Sequence, residues 1–281
     1  MSSFSRRNFL SAAALAAAAS RLPAEALGIP VGTQTYPFRE GFSKDVPGTL
    51  KQLASIGTKR LELCSPWSYR EFAPLKDYKP AELKSLLGSH GLTAESCHYG
   101  LPELKNNLDE RIAWAKEFGM KQMILASMPI PRDNKTFEAW DRACDDLNKV
   151  GESAAKSGIQ IGFHNHNGEF QKIDDTLIYD HLMSKLDPKA VKMQFQVSVI
   201  SIGYKAADYL KKYPGRFISM HLQDWSAAEK KQMPLGKGDV DWPATFAAAK
   251  KAGVKNYYVE LESLNMEATK ESYDYLKKLK A

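Results

Sequence analysis

Two histidines and a glutamate follow a short apolar segment near the middle of the chain. The segment reads GIQIGFHNHNGEF, and its apolar residues 159–163 run directly into His164 and His166. A short apolar run is typical of a buried strand, and side chains two residues apart on a strand lie on the same face. Imidazole is the commonest protein metal ligand and a proton carrier near neutral pH. A lone histidine is more often structural, but this pair with Glu169 close behind predicts a functional site.

Apolar strands alternate with amphipathic helical segments along the rest of the chain. The predicted strands are residues 29–36, 59–63, 92–97, 121–126, 158 onward, 191–197, 217–222 and 256–261. The predicted helices are residues 44–56, 79–90, 104–118, 137–156, 175–185, 205–212, 243–252 and 271–279. Eight such pairs predict an α/β fold of the (β/α)8 TIM barrel type. A doubly wound open sheet is the alternative, but GTQTYPF stands where a glycine-rich phosphate loop would follow the first strand.

Polar residues collect at the carboxyl ends of the predicted strands. They are Glu62, His98, His164, His166, His221 and Glu260. Parallel barrels build their active sites at this face, from the loops that follow the strands. Only His90 and His181 among the histidines lie elsewhere. We therefore expect one site at the mouth of the barrel, with all six residues close to it.

The amino terminus has the pattern of an export signal. Residues 5–10, SRRNFL, precede an alanine- and leucine-rich run at residues 11–19 that is too short for a permanent membrane span. Small residues at 17–19 or 24–26 offer cleavage sites. The sequence therefore predicts a twin-arginine signal peptide at residues 1–26, a barrel domain at residues 27–281 and a periplasmic mature protein.

Composition narrows the possible partners. The chain has 281 residues, of which 43% are hydrophobic and 26% charged, as in an ordinary globular protein. The formal net charge is +6, but the lysines are scattered over amphipathic segments such as 205–212 and 270–280, which is typical of solvated faces and not of a nucleic-acid surface. The three cysteines include no C-x-x-C pair, which argues against a structural zinc site. Cys64 and Cys97 could form a disulfide in an oxidising compartment if their strands are neighbours.

Four phrases of the sequence match a known family. They are FHNHNGEF, YPGRFISMHLQDW, PLGKGDVDW and GVKNYYVELES. With them the chain resembles the xylose isomerase-like TIM barrels of the sugar phosphate isomerase and epimerase group, over nearly all of the predicted mature protein. The group includes inosose dehydratases, ketose 3-epimerases and lyases acting on 3-keto-glycosides. The resemblance implies an isomerase, epimerase or carbon–oxygen lyase that removes a proton beside the carbonyl of a sugar or of an oxidised (3-keto) glycoside.

The resemblance also implies a divalent metal, Mn, Zn or Mg, at the barrel mouth. In relatives the ligands come from strands five to eight. Carried over to this chain, His221 and Glu260 are the ligands on strands seven and eight. On strand five the ligand is His164 or Glu169, and the two alternatives remain open.

Strand six departs from the family pattern. Relatives have an aspartate there, whereas this chain has Gln196 in FQVSV. A carboxamide offers an oxygen without a charge, so metal affinity should fall. Lys237 stands where relatives often carry a glutamate. The alternatives are a weakened metal site, a metal-free site in which Lys237 or Lys205 replaces the charge of the ion, and a carbohydrate-binding pseudoenzyme.

The family chemistry assigns roles to the remaining candidates. The resemblance implies that Glu169 or His166 is the acid/base group and that Glu260 takes part in catalysis. The residues expected to bind substrate are Glu62, His98, Trp67, Tyr36, Gln196 and Lys237. We expect a small carbohydrate as the partner and no nucleic acid, because an endonuclease-like relative would need more metal ligands and a basic face. The sequence does not indicate an oligomeric state.

Overall fold

The computed structural model describes Gly28 and residues 32–131 and 133–279, and the eight barrel strands of this part are parallel and close into one sheet. The strands are β1 (Gly32–Gln34), β2 (Arg60–Cys64), β3 (Thr93–Tyr99), β4 (Gln122–Leu125), β5 (Gln160–His164), β6 (Val191–Gln196), β7 (Phe217–Leu222) and β8 (Asn256–Val259). Consecutive strands pair with each other, and β1 pairs with β8 to close the barrel. The predicted (β/α)8 TIM barrel is confirmed and the open-sheet alternative is wrong.

Helices surround the barrel. They are α1 (Arg39–Lys44), α2 (Val46–Ser55), α3 (Pro80–Ser89), α4 (Leu101–Asn106), α5 (Leu108–Phe118), α6 (Glu138–Ala155), α7 (Ile178–Lys185), α8 (Ala206–Lys212), α9 (Trp242–Ala252) and α10 (Met266–Lys278). Local sequence fixes several helix ends. The Asp241 carboxylate accepts a hydrogen bond from the Ala244 backbone N–H at 3.0 Å and caps α9. Gly253, with φ +81°, ends the same helix in the left-handed conformation that favours glycine.

Three helix boundaries differ from the prediction. The segment expected as one helix at residues 104–118 is divided into α4 and α5 by Asn107, whose backbone is not helical (φ −129°, ψ 25°). The helix expected from residue 175 begins at Ile178, after a short hairpin formed by Lys172–Ile173 and Thr176–Leu177. Helix α10 begins at Met266, five residues before the expected start, because the Asn265 side chain caps it.

The strand register brings polar side chains of neighbouring strands together inside the barrel. Gln34 lies opposite Glu62, and Glu62 lies opposite Ser96. On the other side of the barrel, Gln194 pairs with Ser219. Apolar side chains pack between the strands and the surrounding helices and form the hydrophobic core. The barrel interior therefore carries a polar layer where an apolar core would be the ordinary filling.

A segment after β7 is held in place by one buried carboxylate. Asp224 begins a two-stranded hairpin, Asp224–Ser226 with Lys231–Met233. Its oxygens accept hydrogen bonds from four N–H groups, which belong to Trp225, Gly236, Val240 and Trp242. Asp224 is 1% exposed, so these bonds are shielded from water. The PLGKGDVDW segment is thereby fixed to the end of β7.

Some sequence-based expectations concern residues that the structure does not describe. The predicted signal peptide and residues 29–31 of the predicted first strand lie outside the described residues. No helix of the described part is long and apolar enough to cross a membrane. Cys64 and Cys97 lie on the neighbouring strands β2 and β3, and both are free thiols in the structure.

Candidate active site

Glu62 is the centre of a hydrogen-bond network inside the barrel. Its side chain is completely buried and accepts hydrogen bonds from β1, β3, β6 and β7. The donors are Gln34, Ser96, Gln194 and His221, and His98 Nε2 also lies 3.2 Å from Glu62 Oε2. Burial alone would raise the pKa of Glu62, but the charges and hydrogen bonds of His98 and His221 hold it well below its usual value. Glu62 is therefore a carboxylate that binds protein groups with both oxygens.

His221 lies between two carboxylates. Its Nε2 bonds to Glu62 Oε2, and its Nδ1 lies 3.0 Å from Glu260 Oε2. Burial by itself lowers the pKa of His221, but the charges of Glu260 and Glu62 and their hydrogen bonds raise it to about 10. The imidazole is therefore protonated at neutral pH in this arrangement and donates from both nitrogens.

Two further imidazoles lie close to the imidazole of His221. Each of His98, His164 and His221 has a ring nitrogen within 4.8 Å of the others, and all three side chains are buried. Nδ1 of His164 has no hydrogen-bond partner among the described residues. Burial, followed by the charge of His221, lowers the pKa of His164 well below its usual value. His164 is therefore a neutral imidazole, which is the form that binds a metal.

Gln196 stands beside Glu260 at the carboxyl end of β6. Its Nε2 donates to Glu260 Oε2 at 2.6 Å, and Gln223 Nε2 donates to the same oxygen at 3.2 Å. Burial raises the pKa of Glu260, but His221 and the Gln196 hydrogen bond lower it below the usual value overall. Gln196 thus lies next to the carboxylate of Glu260, at the position where the family pattern has an aspartate. As a neutral amide it brings no negative charge to this position.

These residues fit a divalent cation. Imidazole nitrogens with one carboxylate oxygen are a typical zinc donor set, and His164 supplies a buried nitrogen that no described residue occupies. His164, His221 and Glu260 would hold the ion, with His98 within reach. Binding would require His221 to lose a proton, which makes affinity dependent on pH.

Glu169 lies apart from the histidine cluster. It belongs to the turn Asn167–Phe170 that follows β5, and its Oε2 accepts a hydrogen bond from the His166 backbone N–H at 2.7 Å. The side chain is 5% exposed, and burial raises its pKa to about 7 despite the backbone hydrogen bonds. Of the two strand-five alternatives, only His164 is in the cluster of potential ligands. Glu169 is placed instead as a carboxyl group with a pKa near neutrality, which suits acid/base work.

Two adjoining cavities open at this end of the barrel. The inner cavity, about 260 Å³, is lined by residues that include Tyr36, Tyr69, His98, His164, His166 and Glu260. The middle cavity, about 720 Å³, is lined by residues that include Met128, Trp140, Glu169, Gln196 and Gln223. The expected substrate-binding residues Tyr36, His98 and Gln196 therefore face space that a ligand could fill, and their roles stay predictions.

Three other expected substrate-binding residues are placed differently. Glu62 lines neither cavity, because it lies beneath the mouth with its oxygens occupied. Trp67 packs outward, with the Arg111 guanidinium 3.6 Å from the centre of its ring. Lys237 forms an ion pair with Glu271 on α10 and is half exposed. In this arrangement none of the three contacts a ligand in these cavities.

Four polar residues of the site were not expected from the sequence. They are Ser96, Gln194, Gln223 and Glu262. Strand alternation could have identified two of them, because Ser96 and Gln194 stand two residues before His98 and Gln196 and therefore share their faces. Gln223 and Glu262 stand two residues after His221 and Glu260, so the same spacing also pointed to them.

Known proteins resemble the chain in both sequence and structure. A stretch of 142 residues is 30% identical to an inosose dehydratase of Geobacillus thermodenitrificans, covering 44% of this chain and 47% of that protein. The chain spans about half the length of the curated relatives it matches, with shares of 47%, 40% and 53% for three of them. These relatives are enzymes, and a dehydratase of this kind is a carbon–oxygen lyase.

Solved structures show the same barrel. A sugar phosphate isomerase/epimerase from Parabacteroides distasonis superposes with a TM-score of 0.74 at 23% identity, over 88% of this chain and 93% of that one. The IolI protein with a bound zinc atom superposes with a TM-score of 0.65 at 16% identity, over 88% of this chain and 96% of that one. Residues 50–279 match the family described as "Xylose isomerase-like TIM barrel". The chain therefore belongs to the xylose isomerase-like TIM barrel family.

Proposed function

We propose that the protein is an enzyme that moves a proton at the carbon next to a carbonyl of a sugar or of an oxidised (3-keto) glycoside. Isomerases, epimerases and carbon–oxygen lyases of the family share this step. The observation that carries the proposal is the cluster of three buried imidazoles, two of which, His98 and His164, line a cavity together with Glu260. The similarity in sequence to inosose dehydratases supports carbon–oxygen lysis after this step, and the similarity in fold to a sugar phosphate isomerase/epimerase is consistent with isomerisation or epimerisation.

Glu169 is the base in this proposal. Proton transfer is most efficient when the pKa of the catalytic group is near the working pH, and burial brings the pKa of Glu169 to about 7. The His166 backbone N–H holds one carboxylate oxygen, which fixes the orientation of the side chain. His166 lines both cavities and is the candidate to return the proton.

Removal of the proton leaves negative charge on the carbonyl oxygen. A divalent cation held by His164, His221 and Glu260 would stabilise that charge as a Lewis acid when bound. The Glu62 carboxylate holds Nε2 of His221 and so keeps Nδ1 directed towards Glu260. The inner cavity, about 260 Å³, has room for roughly a single sugar ring, and it adjoins the middle cavity, which Glu169 lines, through the shared wall residues Ser127, His166 and Glu262.

Solvent deuterium exchange tests this proposal whichever product the enzyme forms. Inosose, ketoses and 3-keto-glycosides are incubated with the protein in deuterated water, and loss of the proton next to the carbonyl is followed by NMR. We expect exchange with the wild type and a rate at least about 100-fold lower with Glu169→Gln. The exposed Glu152→Gln on α6 is the matched control and should keep the wild-type rate. Absence of exchange with every substrate would refute the proposal.

A metal-free carbohydrate-binding protein is a second candidate. It is supported by the hydrogen bonds within the cluster, since His221 and Gln196 already satisfy Glu260 without an ion. Elemental analysis of protein purified without chelator separates the two. About one metal ion per chain favours the metal-dependent enzyme, whereas metal-free protein that binds glycosides and catalyses no exchange favours the binding protein.

The twin-arginine motif supports export to the periplasm as a proposal of its own. Arg6 and Arg7 precede the alanine-rich run at residues 11–19. Fractionation of cells that produce the full chain should recover the protein in the periplasm, and an Arg6→Lys, Arg7→Lys double variant should stay in the cytoplasm. Equal distribution of the two proteins would contradict this proposal.

A further inference from the structure

Gln194 is a buried amide whose orientation is fixed by its neighbours. Its Nε2 lies 2.8 Å from Glu62 Oε1 and 2.9 Å from Ser219 Oγ. A carboxylate only accepts hydrogen bonds, so the NH₂ group of Gln194 has to face Glu62. The carbonyl oxygen Oε1 of the same amide is therefore the atom that faces His98.

The two acceptors beside His98 determine which of its nitrogens carries the proton. Nε2 of His98 lies 2.7 Å from Gln194 Oε1 and 3.2 Å from Glu62 Oε2. Both oxygens accept and neither can donate, so Nε2 must be protonated. A neutral imidazole has a single ring proton, and Nδ1 of His98 is then left with a lone pair.

Nδ1 of His98 is open to the inner cavity. The His98 ring makes its hydrogen-bonding contacts with described residues through Nε2, and His98 belongs to the wall of this cavity. Nδ1 of His164 is an enclosed atom without a partner, whereas Nδ1 of His98 is not among such atoms in the described part. The His98 ring is also held from one side, because it stacks on His221 with the ring centres 5.1 Å apart. A ligand in the inner cavity therefore meets a fixed acceptor at this wall.

We propose that His98 is a specificity-determining residue whose Nδ1 accepts a hydrogen bond from a substrate hydroxyl, and that Glu62 and Gln194 are the positioning residues that keep the proton on Nε2. The inference rests on the proposed function for the sugar nature of the ligand, but not for the tautomer of His98. An acceptor at this wall repels a carbonyl, carboxylate or phosphate oxygen. The carbonyl of the substrate then lies elsewhere in the cavity, and a hydroxyl-bearing carbon lies beside His98.

Nitrogen NMR of histidine-labelled protein reads the tautomer without any turnover. Spectra of the wild type are recorded at alkaline pH in the presence of a chelator, and His98→Gln and His98→Asn identify the signals of His98 by their loss. We expect a protonated Nε2 and an unprotonated Nδ1. The unreactive polyols myo-inositol, xylitol and methyl β-glucoside are then added, and at least one of them should move the Nδ1 signal upfield. A protonated Nδ1 in the free protein, or an Nδ1 signal that none of the three polyols moves, would overturn the proposal.

Two substitutions separate the roles of the two nitrogens in substrate binding. His98→Gln places an amide near the position of Nε2 and removes the acceptor from the cavity, whereas His98→Asn places an amide oxygen near the position of Nδ1. In the deuterium-exchange assay, His98→Gln should raise KM at least about fivefold and act more through KM than through kcat, because the contact is already made in the ground state. His98→Asn should raise KM less than His98→Gln.

His90→Gln is the matched control, because His90 follows α3 and lines neither the inner nor the middle cavity. It should keep the KM of the wild type. Equal KM values for His98→Gln and His90→Gln would overturn the role of His98 in recognition. If the wild type exchanges no proton with any of the substrates, the proposed function is refuted, and the NMR measurements with the polyols still decide whether His98 accepts a hydroxyl.

Discussion

Replacement of Glu62 by glutamine tests the polar layer inside the barrel. Oε1 accepts hydrogen bonds from Ser96 Oγ at 2.6 Å and Gln194 Nε2 at 2.8 Å. Oε2 accepts from Gln34 Nε2 at 3.1 Å and from His221 Nε2. In either orientation, Glu62→Gln turns one of these acceptors into an NH₂ group that faces two donors. The substitution keeps the size of the side chain, so its effect reports hydrogen bonding and charge, not packing.

The expected loss of stability is large. A buried donor that loses its acceptor costs about 1–3 kcal/mol, and the Ser96 hydroxyl can rotate to avoid part of this cost. Loss of the negative charge opposite the protonated His221 adds to it. We expect the free energy of unfolding to fall by about 3 kcal/mol or more. For a domain of this size, that corresponds to a melting temperature lowered by about 6–12 °C.

Thermal unfolding in the presence of a chelator measures the effect without a contribution from bound metal. Glu95→Gln is the matched control, because Glu95 lies on the neighbouring β3 but pairs with Arg60 and Lys121 where the charges are partly exposed. Surface ion pairs contribute about 0–1 kcal/mol, so the control should melt within about 3 °C of the wild type. If Glu62→Gln melts as high as Glu95→Gln, Glu62 is not the buried acceptor described here.

Three other predictions concern the site and its supports. If Glu169 is the base, kcat/KM rises with pH up to about 7 and then levels off. Because the pKa of Glu169 is raised in the folded state, the free energy of unfolding should also fall as the pH rises from about 4 to 7. Glu169→Gln should remove the first trend from the activity profile and the second from the melting temperature measured against pH. Asp224→Asn leaves at least one buried N–H unpaired and should lower the free energy of unfolding by about 2 kcal/mol and speed proteolysis between residues 227 and 241; an unchanged cleavage rate would contradict the anchoring role. Gln196→Asp should raise zinc affinity at least about tenfold in competition with a chelating dye, and unchanged affinity would show that Gln196 is not beside the ion.

The fold could be predicted from the sequence because its signals are local. Most barrel strands lie in short, largely apolar runs, and glycine or proline marks many of the helix boundaries, so that the alternation of strands and helices predicts the barrel. The division between α4 and α5 is not predictable in this way, because residues 104–118 keep helical periodicity through Asn107. The early start of α10 depends on the Asn265 cap, a signal that apolar periodicity does not contain.

The site was predictable only at the strand ends. His98, His164, His221 and Glu260 lie together because carboxyl ends of parallel strands meet at one mouth. The same rule also placed Glu62 near the mouth, but its neighbours on β1, β3, β6 and β7 determine that it faces other protein groups, and these contacts are not local in sequence. Loop residues such as Trp67 could not be placed for the same reason.

Gln196 changes the charge balance around Glu260 and so the dependence of stability on a bound cation. Glu62 and Glu260 provide two negative charges, and the protonated His221 between them provides one positive charge. An aspartate at position 196 would place a second carboxylate against Glu260, where like charges repel unless a cation separates them. The amide instead donates to Glu260 at 2.6 Å, so this carboxylate is satisfied with or without an ion. It follows that Gln196→Asp should be less stable than the wild type in chelator and more stable in excess zinc, whereas the melting temperature of the wild type should depend only weakly on zinc.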